Sequence, residues 1–535
     1  MSCPTRGEVE SLYDKISGFE FKEILINIAK SSKEKQPILD AGRGNPNWTA
    51  TLPRQAFFAF GQFAVLETQR TWQEENLAGM PSRDGIGARL TRFLSAYPDR
   101  KVAGFIREFV DYGVKTLGFK EEAWIHELAH GIIGDQYPFP DRSLVHIEKL
   151  VKAYLLKELC PNREIEGKFD MFSVEGGAAG MCYLFDSLMH NHLLHKGDKI
   201  ALMTPIFTPY LEIPELPDYE FETIYIRATE VEEDGHTSMQ YTKEALDQLK
   251  DNEVKAVFIV NPNNPLSIAL SGTSKQYLID LVKNDRPDLM IVTDDVYSTF
   301  VPQFCSLLAD LPYNTLCIYS FSKYFGVTGW RLGTVLLHER NVFDDQIKKL
   351  QPWEHEELEK RYTSLGTHAC DVKFIDRMVA DSRLVALNHT AGLSTPQQVQ
   401  MAFFSGFALL DEGDHYKKLT RRICKKRKRT LYEGMQRVIK KDPYDAYYYT
   451  EVNLKEWLVE EWGQEVADAV ISRYKCVDFL YELAHQHNVI LLAADGFASS
   501  KWGVRVSLAN LDEGAYLRIG RAMYKVLNQW VKEVK

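Results

Sequence analysis

The stretch SFSKYFGVTGWRLG, from Ser320 to Gly333, decides the fold. It follows the apolar run TLCIY at 315–319, so Ser320, Ser322 and Lys323 stand at the carboxyl end of a predicted strand. In an open α/β sheet that edge is where ligands are held. A lysine there is partly desolvated, which disfavours the ammonium form and makes a nucleophilic amine available. The two serines, with Arg331 eight residues beyond Lys323, suit a phosphate dianion.

Working outward, KIALMTP from Lys199, VKAVFIVNP from Val254 and LMIVTDD from Leu289 repeat the same pattern of a buried run closed by polar residues. They alternate with amphipathic helical stretches such as LVHIEKLVKAYLLKEL from Leu144, which predicts an α/β fold with a parallel sheet. Each ending adds a chemical part. EGGAAGM, from Glu175, places Gly177 and Ala178 where small residues let the N-terminus of a helix approach an anion. Phe207, in TPIFTPY, offers a ring to stack on a pyridine, and Asn261, in NPNNP, a donor to a phenolate oxygen. TDDVYSTF puts Asp294 at a strand terminus with Tyr297 three residues on. A carboxylate there can pair with a pyridinium nitrogen and keep the ring an electron sink. A reactive amine beside a phosphate anchor is what pyridoxal 5'-phosphate requires.

In this order, over roughly Asp40 to Leu511, the motifs resemble the aspartate aminotransferase-like, fold type I pyridoxal phosphate enzymes. The resemblance implies a large domain with a mostly parallel sheet flanked by helices, and a smaller α/β domain built from N- and C-terminal segments. The expected divisions are an N-terminal arm and part of the small domain at 1–60, a helical insertion at 61–130, the cofactor domain at 131–400 and the C-terminal small domain at 401–535. It also implies roles. Lys323 is the catalytic lysine that carries the cofactor aldehyde, and Asp294 the partner of the pyridinium nitrogen. Asn261 and Tyr297 are ligands of the phenolate oxygen, and Gly177, Ala178, Ser320, Ser322 and Arg331 hold the phosphate. Tyr137, in GDQYPFPDR, matches the tyrosine that reaches the phosphate of a neighbouring subunit. Arg505, in GVRVSLAN, matches the arginine that clamps the substrate α-carboxylate with two parallel hydrogen bonds.

Two departures refine this expectation. Aspartate aminotransferases grip the distal carboxylate with an arginine shortly before a Ser-x-Pro turn, but NHTAGLSTPQQ has Thr390 four residues before Ser394. The loop DAGRGNPNW instead carries Arg43, where a small or apolar residue is usual. Extra residues also occur at about 66–130 and near HEELEKRY from His355. Together these features are similar to the aspartate 4-decarboxylase family, which releases the β-carboxylate of L-aspartate to give L-alanine and shows aspartate aminotransferase activity. The resemblance implies a homo-oligomer, at least a dimer and in known members a dodecamer. The alternative within the fold is a plain aminotransferase acting on aspartate or another amino acid. Lys22, in GFEFKEIL, is expected as an exposed helix lysine.

Bulk properties agree with such an enzyme. The 535 residues are 45% hydrophobic and 26% charged, ordinary for a globular protein. The net charge of -10 argues against nucleic acid or anionic membrane as a partner. The segment MSCPTRGEVESLYDK has no apolar core of a secretory signal, and eight scattered cysteines without a CxxC pair read as reduced thiols, so a cytoplasmic location is expected. HELAH, His126 to His130, matches the H-E-x-x-H zinc-protease pattern, but no third ligand follows at the usual spacing. It is expected to be a helix of the insertion with partly buried histidines, and no metal is expected. KKRKR, Lys425 to Arg429, is expected as a solvated helix face.

Overall fold

A computed structural model describes residues 6–13, 16, 18–31, 37–137, 142–233, 235–363, 365, 368, 371–385 and 392–535. Thr390 lies outside the described residues, as do Cys3 and Cys370. The centre is a seven-stranded sheet: β1 Phe169–Val174, β2 Lys199–Thr204, β3 Glu222–Arg227, β4 Val254–Val260, β5 Met290–Asp294, β6 Thr315–Ser320 and β7 Gly333–His338. Their spatial order is β1-β7-β6-β5-β4-β2-β3. All pairs are parallel except those of β7, which runs antiparallel to both β6 and β1. Every residue of β5, β6 and β7 is buried, which is why these runs are continuously apolar instead of alternating. The expected strands from Lys199, Val254, Leu289 and Thr315 are thus present to within a residue at their starts.

Three apolar cores form among the described residues, the smallest gathering Ala201, Val257 and Ile291 of the sheet with Leu278 and Val282 of the helix Gly272–Asn284. One joins the sheet to helices Thr51–Thr71, Ile86–Ala96, Arg100–Lys115 and Glu121–Ile133, which lie against Val145–Leu159 and Thr395–Leu410. Its junction is aromatic: Phe109 stacks on Phe403 at 4.6 Å between ring centroids, and Trp124 sits 5.5 Å from Phe109. The helix Thr51–Thr71 runs unbroken through position 61, where an insertion was expected to begin. The second core gathers residues from Val9 to Ala41 with residues from Leu431 to Val531. It includes the three-stranded antiparallel sheet of Tyr449–Asn453, Gly503–Ser507 and Leu492–Ala493. The segment VILLAADGF is split: Val489–Ile490 pairs with Leu39–Asp40, and Leu492–Ala493 with Gly503–Ser507.

HELAH lies on the helix Glu121–Ile133. The His126 and His130 rings share one face, each with Nε2 3.3 Å from the carbonyl of Pro81, and His130 Nδ1 meets Asp135 at 2.8 Å. Glu127 accepts the backbone N–H groups of His146 and Ile147 at 2.9 and 3.1 Å and meets His146 Nδ1 at 2.7 Å. It therefore serves as a remote N-cap of Val145–Leu159, whose own N-cap residue is Leu144. Among the described residues no third ligating group gathers with the two histidines. Glu127→Ala strands two helix-end donors and should cost about 1–3 kcal/mol. A fall in the thermal midpoint, restored in Glu127→Gln, checks this.

KKRKR corrects its expectation. The helix is there, His415–Gly434, but Arg427 and Lys428 are only 8% exposed. Arg427 donates to the carbonyls of Leu508 and Ala509 and to Asn47, and Lys428 donates to Asp445 at 2.6 Å. Lys425, Lys426 and Arg429 remain exposed. No helix among the described residues is long and apolar enough to cross a membrane.

Candidate active site

The carboxyl ends of β4, β5 and β6 and the N-terminus of the helix Gly177–His190 open into one cavity of about 260 Å³. Ten of the expected residues line it: Gly177, Ala178, Phe207, Asp294, Tyr297, Ser320, Ser322, Lys323, Arg331 and Arg505. They come from separate strand ends, and the parallel sheet aligns those ends on one edge.

At one corner the geometry suits an anion. Gly176 has φ 90°, and a Cβ there would come within 2.4 Å of Arg331 Nη2, so only glycine lets the guanidinium lie over the turn. Arg331 itself adopts φ 54° and donates from Nη1 to the Thr328 carbonyl at 2.8 Å. The Ser320 and Ser322 hydroxyls are 3.0 Å apart beside it. A helix N-terminus, two hydroxyls and a guanidinium converge there.

Across the cavity, Asp294 ends β5. Burial pushes its carboxyl up to about 7, with Asp295 adding to the rise, while the Val296 N–H, the Tyr210 hydroxyl and the Lys323 charge oppose it. Tyr210 donates to it at 3.4 Å. Such a carboxyl needs a cation beside it to stay ionised. Asn261, just beyond β4, does not line the cavity. Its Oδ1 accepts the Leu270 N–H at 2.9 Å, while its Nδ2 is buried without a partner. An orphaned buried donor is costly and marks a place for an acceptor. The Tyr297 hydroxyl pairs with that of Tyr449 at 3.0 Å.

Arg505 projects from the strand Gly503–Ser507 and is 2% exposed. It donates to Asn264 Oδ1 at 3.0 Å and to the Gly42 carbonyl at 2.7 Å, and lies 4.4 Å over the Tyr449 ring. Its Nε is buried without a partner, and among the described residues no carboxylate pairs with it. A buried cation without a counter-ion is unfavourable until an anion arrives.

Two further expected residues, Tyr137 and Arg43, are placed away from the cavity. Tyr137 is 80% exposed on the surface. Arg43 does not line the cavity; its side chain is 59% exposed and pairs with Asp40 at 3.0 Å, although the neighbouring Gly44 does line it. Thr390 lies outside the described residues. Lys22 is not the exposed lysine expected, since its side chain is 12% exposed and lies 3.7 Å from Asp40. Sequence reasoning missed Tyr449, Asn264 and Gly44 as lining residues. Asn264 and Gly44 sit inside quoted motifs, whereas Tyr449, one of three consecutive tyrosines, carries no local signal.

The description "Aminotransferase class I and II" matches residues 174–520, and the chain belongs to this family of pyridoxal 5'-phosphate enzymes. The residues fit the cofactor: an anion corner and a carboxyl that needs a cation share the cavity with one lysine. The orphaned donor of Asn261 lies next to that carboxyl's strand end, its backbone N–H bonded to the Asp294 carbonyl at 2.8 Å. Over 522 residues, 97% of each chain, it is 42% identical to a Pseudomonas sp. protein named bifunctional aspartate aminotransferase and L-aspartate beta-decarboxylase. An aspartate aminotransferase of Pyrococcus horikoshii is 26% identical over 44% of this chain and 57% of its own. Among solved structures, a single mutant of Thermus thermophilus aspartate aminotransferase superposes with a TM-score of 0.58 at 14% identity, covering 98% of this chain and all of that one. This last likeness establishes the fold type I architecture.

Proposed function

We propose that the chain catalyses β-decarboxylation of L-aspartate to L-alanine and CO2, with aspartate aminotransferase activity (aspartate plus 2-oxoglutarate to oxaloacetate plus glutamate) at the same site. The observation that carries this reading is the 42% identity running over 97% of both chains, which takes in the Arg43 loop and the helices between Thr51 and Ile133. The sequence match to the plain aminotransferase of Pyrococcus horikoshii covers only 44% of the chain.

When bound, pyridoxal phosphate supplies the ring that accepts electrons from the bond being broken. The protein's own groups do the rest. Arg331, Ser320, Ser322 and the N–H groups at Gly177 and Ala178 would hold the phosphate, and Phe207 would supply an apolar surface for the ring. Asp294 would keep the ring nitrogen protonated, and Asn261 Nδ2 and the Tyr297 hydroxyl would donate to the ring oxygen. Arg505 takes the substrate α-carboxylate with two parallel hydrogen bonds. Lys323, once its amine is free, moves the α-proton, the step that both reactions share.

The reactions diverge on whether CO2 leaves or water attacks. A tight bidentate grip on the β-carboxylate would stabilise the charge that CO2 loss must disperse, so an arginine at position 390 would work against decarboxylation. A threonine at that position, as in this sequence, would not grip the group in this way. Arg43, between Gly42 and Gly44, orients it or excludes water after leaving Asp40. Arg43→Ala should then raise the ratio of oxaloacetate to alanine from aspartate, and an unchanged ratio removes Arg43 from this role. The reading as a whole is tested with aspartate and no oxo-acid acceptor. Stoichiometric CO2 and alanine support it, and failure to release CO2 leaves a plain aminotransferase.

The same reading includes a homo-oligomer. Tyr137 stands free to reach a second subunit's phosphate, and Phe58, Leu66, Trp72 and Leu77 leave an apolar outer surface on the helical region. The unpaired thiols of Cys160, Cys317, Cys424 and Cys476 suit a reducing compartment, the cytoplasm.

A further inference from the structure

Outside the active site, the turn after the helix Gly177–His190 carries His192 and His195, and the helix Pro352–Tyr362 carries Glu354 and Glu357. We propose that these elements form a zinc(II) site, with His192, His195 and Glu354 as ligands. One donor atom from each lies within 4.8 Å of the other two. Glu354 Oε1 is 3.9 Å from His192 Nδ1 and 3.6 Å from His195 Nε2. Tetrahedral zinc with bonds of about 2.0–2.2 Å sets its ligand atoms roughly 3.4 Å apart, so closure needs only small side-chain rotations.

The surroundings orient these atoms. Glu354 is 7% exposed, and its Oε2 accepts the Gln351 N–H at 2.7 Å, which leaves Oε1 toward the two rings. The other nitrogen of each ring faces a second carboxylate: His192 Nε2 lies 3.2 Å from Glu357, and His195 Nδ1 lies 3.6 Å from Asp198. Asp198 is itself anchored by the His195 N–H at 2.6 Å and by Lys255 at 2.7 Å. A carboxylate holding one imidazole nitrogen protonated directs the lone pair of the other at the metal. The HELAH pair lacks this arrangement, because its glutamate is committed to capping a helix.

Backbone conformation adds to the case. His192 has φ 55° at the helix C-terminus, where Leu193 N–H returns to the Leu188 carbonyl at 3.0 Å. Glycine or asparagine is usual there, and another residue costs about 1 kcal/mol. A cavity of about 360 Å³, lined by His192, His195 and Glu354, leaves room for a water as fourth ligand. The ion would tie the helix Pro352–Tyr362 to the end of Gly177–His190, the helix whose other end forms the anion corner.

The test uses the full-length holoenzyme, stripped with a chelator, incubated with ZnCl2 or CoCl2 and desalted. We expect about one zinc retained per chain in the wild type and in His126→Ala/His130→Ala, and loss of it in His192→Ala/His195→Ala. Glu357→Gln should weaken zinc affinity about tenfold or more. Cobalt should give the visible bands of a four-coordinate site in the unaltered protein, a readout that needs no variant. Absence of these bands with no zinc retained by the wild type overturns the proposal, and so does equal retention by His192→Ala/His195→Ala.

Discussion

Lys323→Ala should lower turnover of aspartate by about 10³-fold or more, on both the alanine and the oxaloacetate branches. General acid–base transfer at a positioned side chain is worth 10²–10⁴-fold, and here the same amine also holds the cofactor. Lys323 is partly exposed in the cavity and belongs to none of the three apolar cores, so its loss should leave the fold intact. Borohydride reduction should label Lys323 in the wild type and leave the variant unlabelled. Retained turnover, or equal labelling of the variant, would remove Lys323 from the centre of the chemistry. Loss on one branch alone would mean that the two reactions do not share the α-proton step.

The second large effect is expected at Arg505. Truncating one member of a buried, hydrogen-bonded charge pair costs about 2–5 kcal/mol, or roughly 30- to 5,000-fold in kcat/KM. Arg505→Ala should show this loss with aspartate and with 2-oxoglutarate alike, because both present an α-carboxylate. Arg505→Lys should fall between, since it keeps the charge but loses the planar fork and the stacking on Tyr449. Cofactor absorbance should be unchanged in the lysine variant, which separates lost substrate binding from lost structure. A decrease below about tenfold would be that of an ordinary neutral hydrogen bond and would count against a carboxylate partner.

The fold and most of the candidate site were legible in the chain for a local reason. Runs such as VKAVFIV and TLCIYS are apolar because both faces of a central parallel sheet are buried, and that requirement is written residue by residue. Functional groups that sit directly after such runs, as Asp294 and Lys323 do, inherit their place from the strand itself. Groups that depend on partners distant in the chain could not be placed this way. Arg427 and Lys428 were read as solvated, yet Arg427 bonds to Asn47, 380 residues away. Glu127 falls inside the HELAH pattern, but a helix that starts at Val145 takes its oxygens.

What the sequence determined by itself is therefore a mostly parallel α/β sheet and the strand ends that carry Asp294, Lys323 and, a little farther on, Arg331, because periodicity and turn chemistry act over a few residues. Arg505, by contrast, was assigned through the family resemblance. What only the tertiary structure decided is the pairing of charges and donors. It shows Arg43 and Lys22 sharing Asp40, Tyr449 against Arg505 and Tyr297, and two histidines facing a glutamate from another helix. A buried polar group is tolerated only where a partner arrives, and which partner arrives is set by packing of segments hundreds of residues apart.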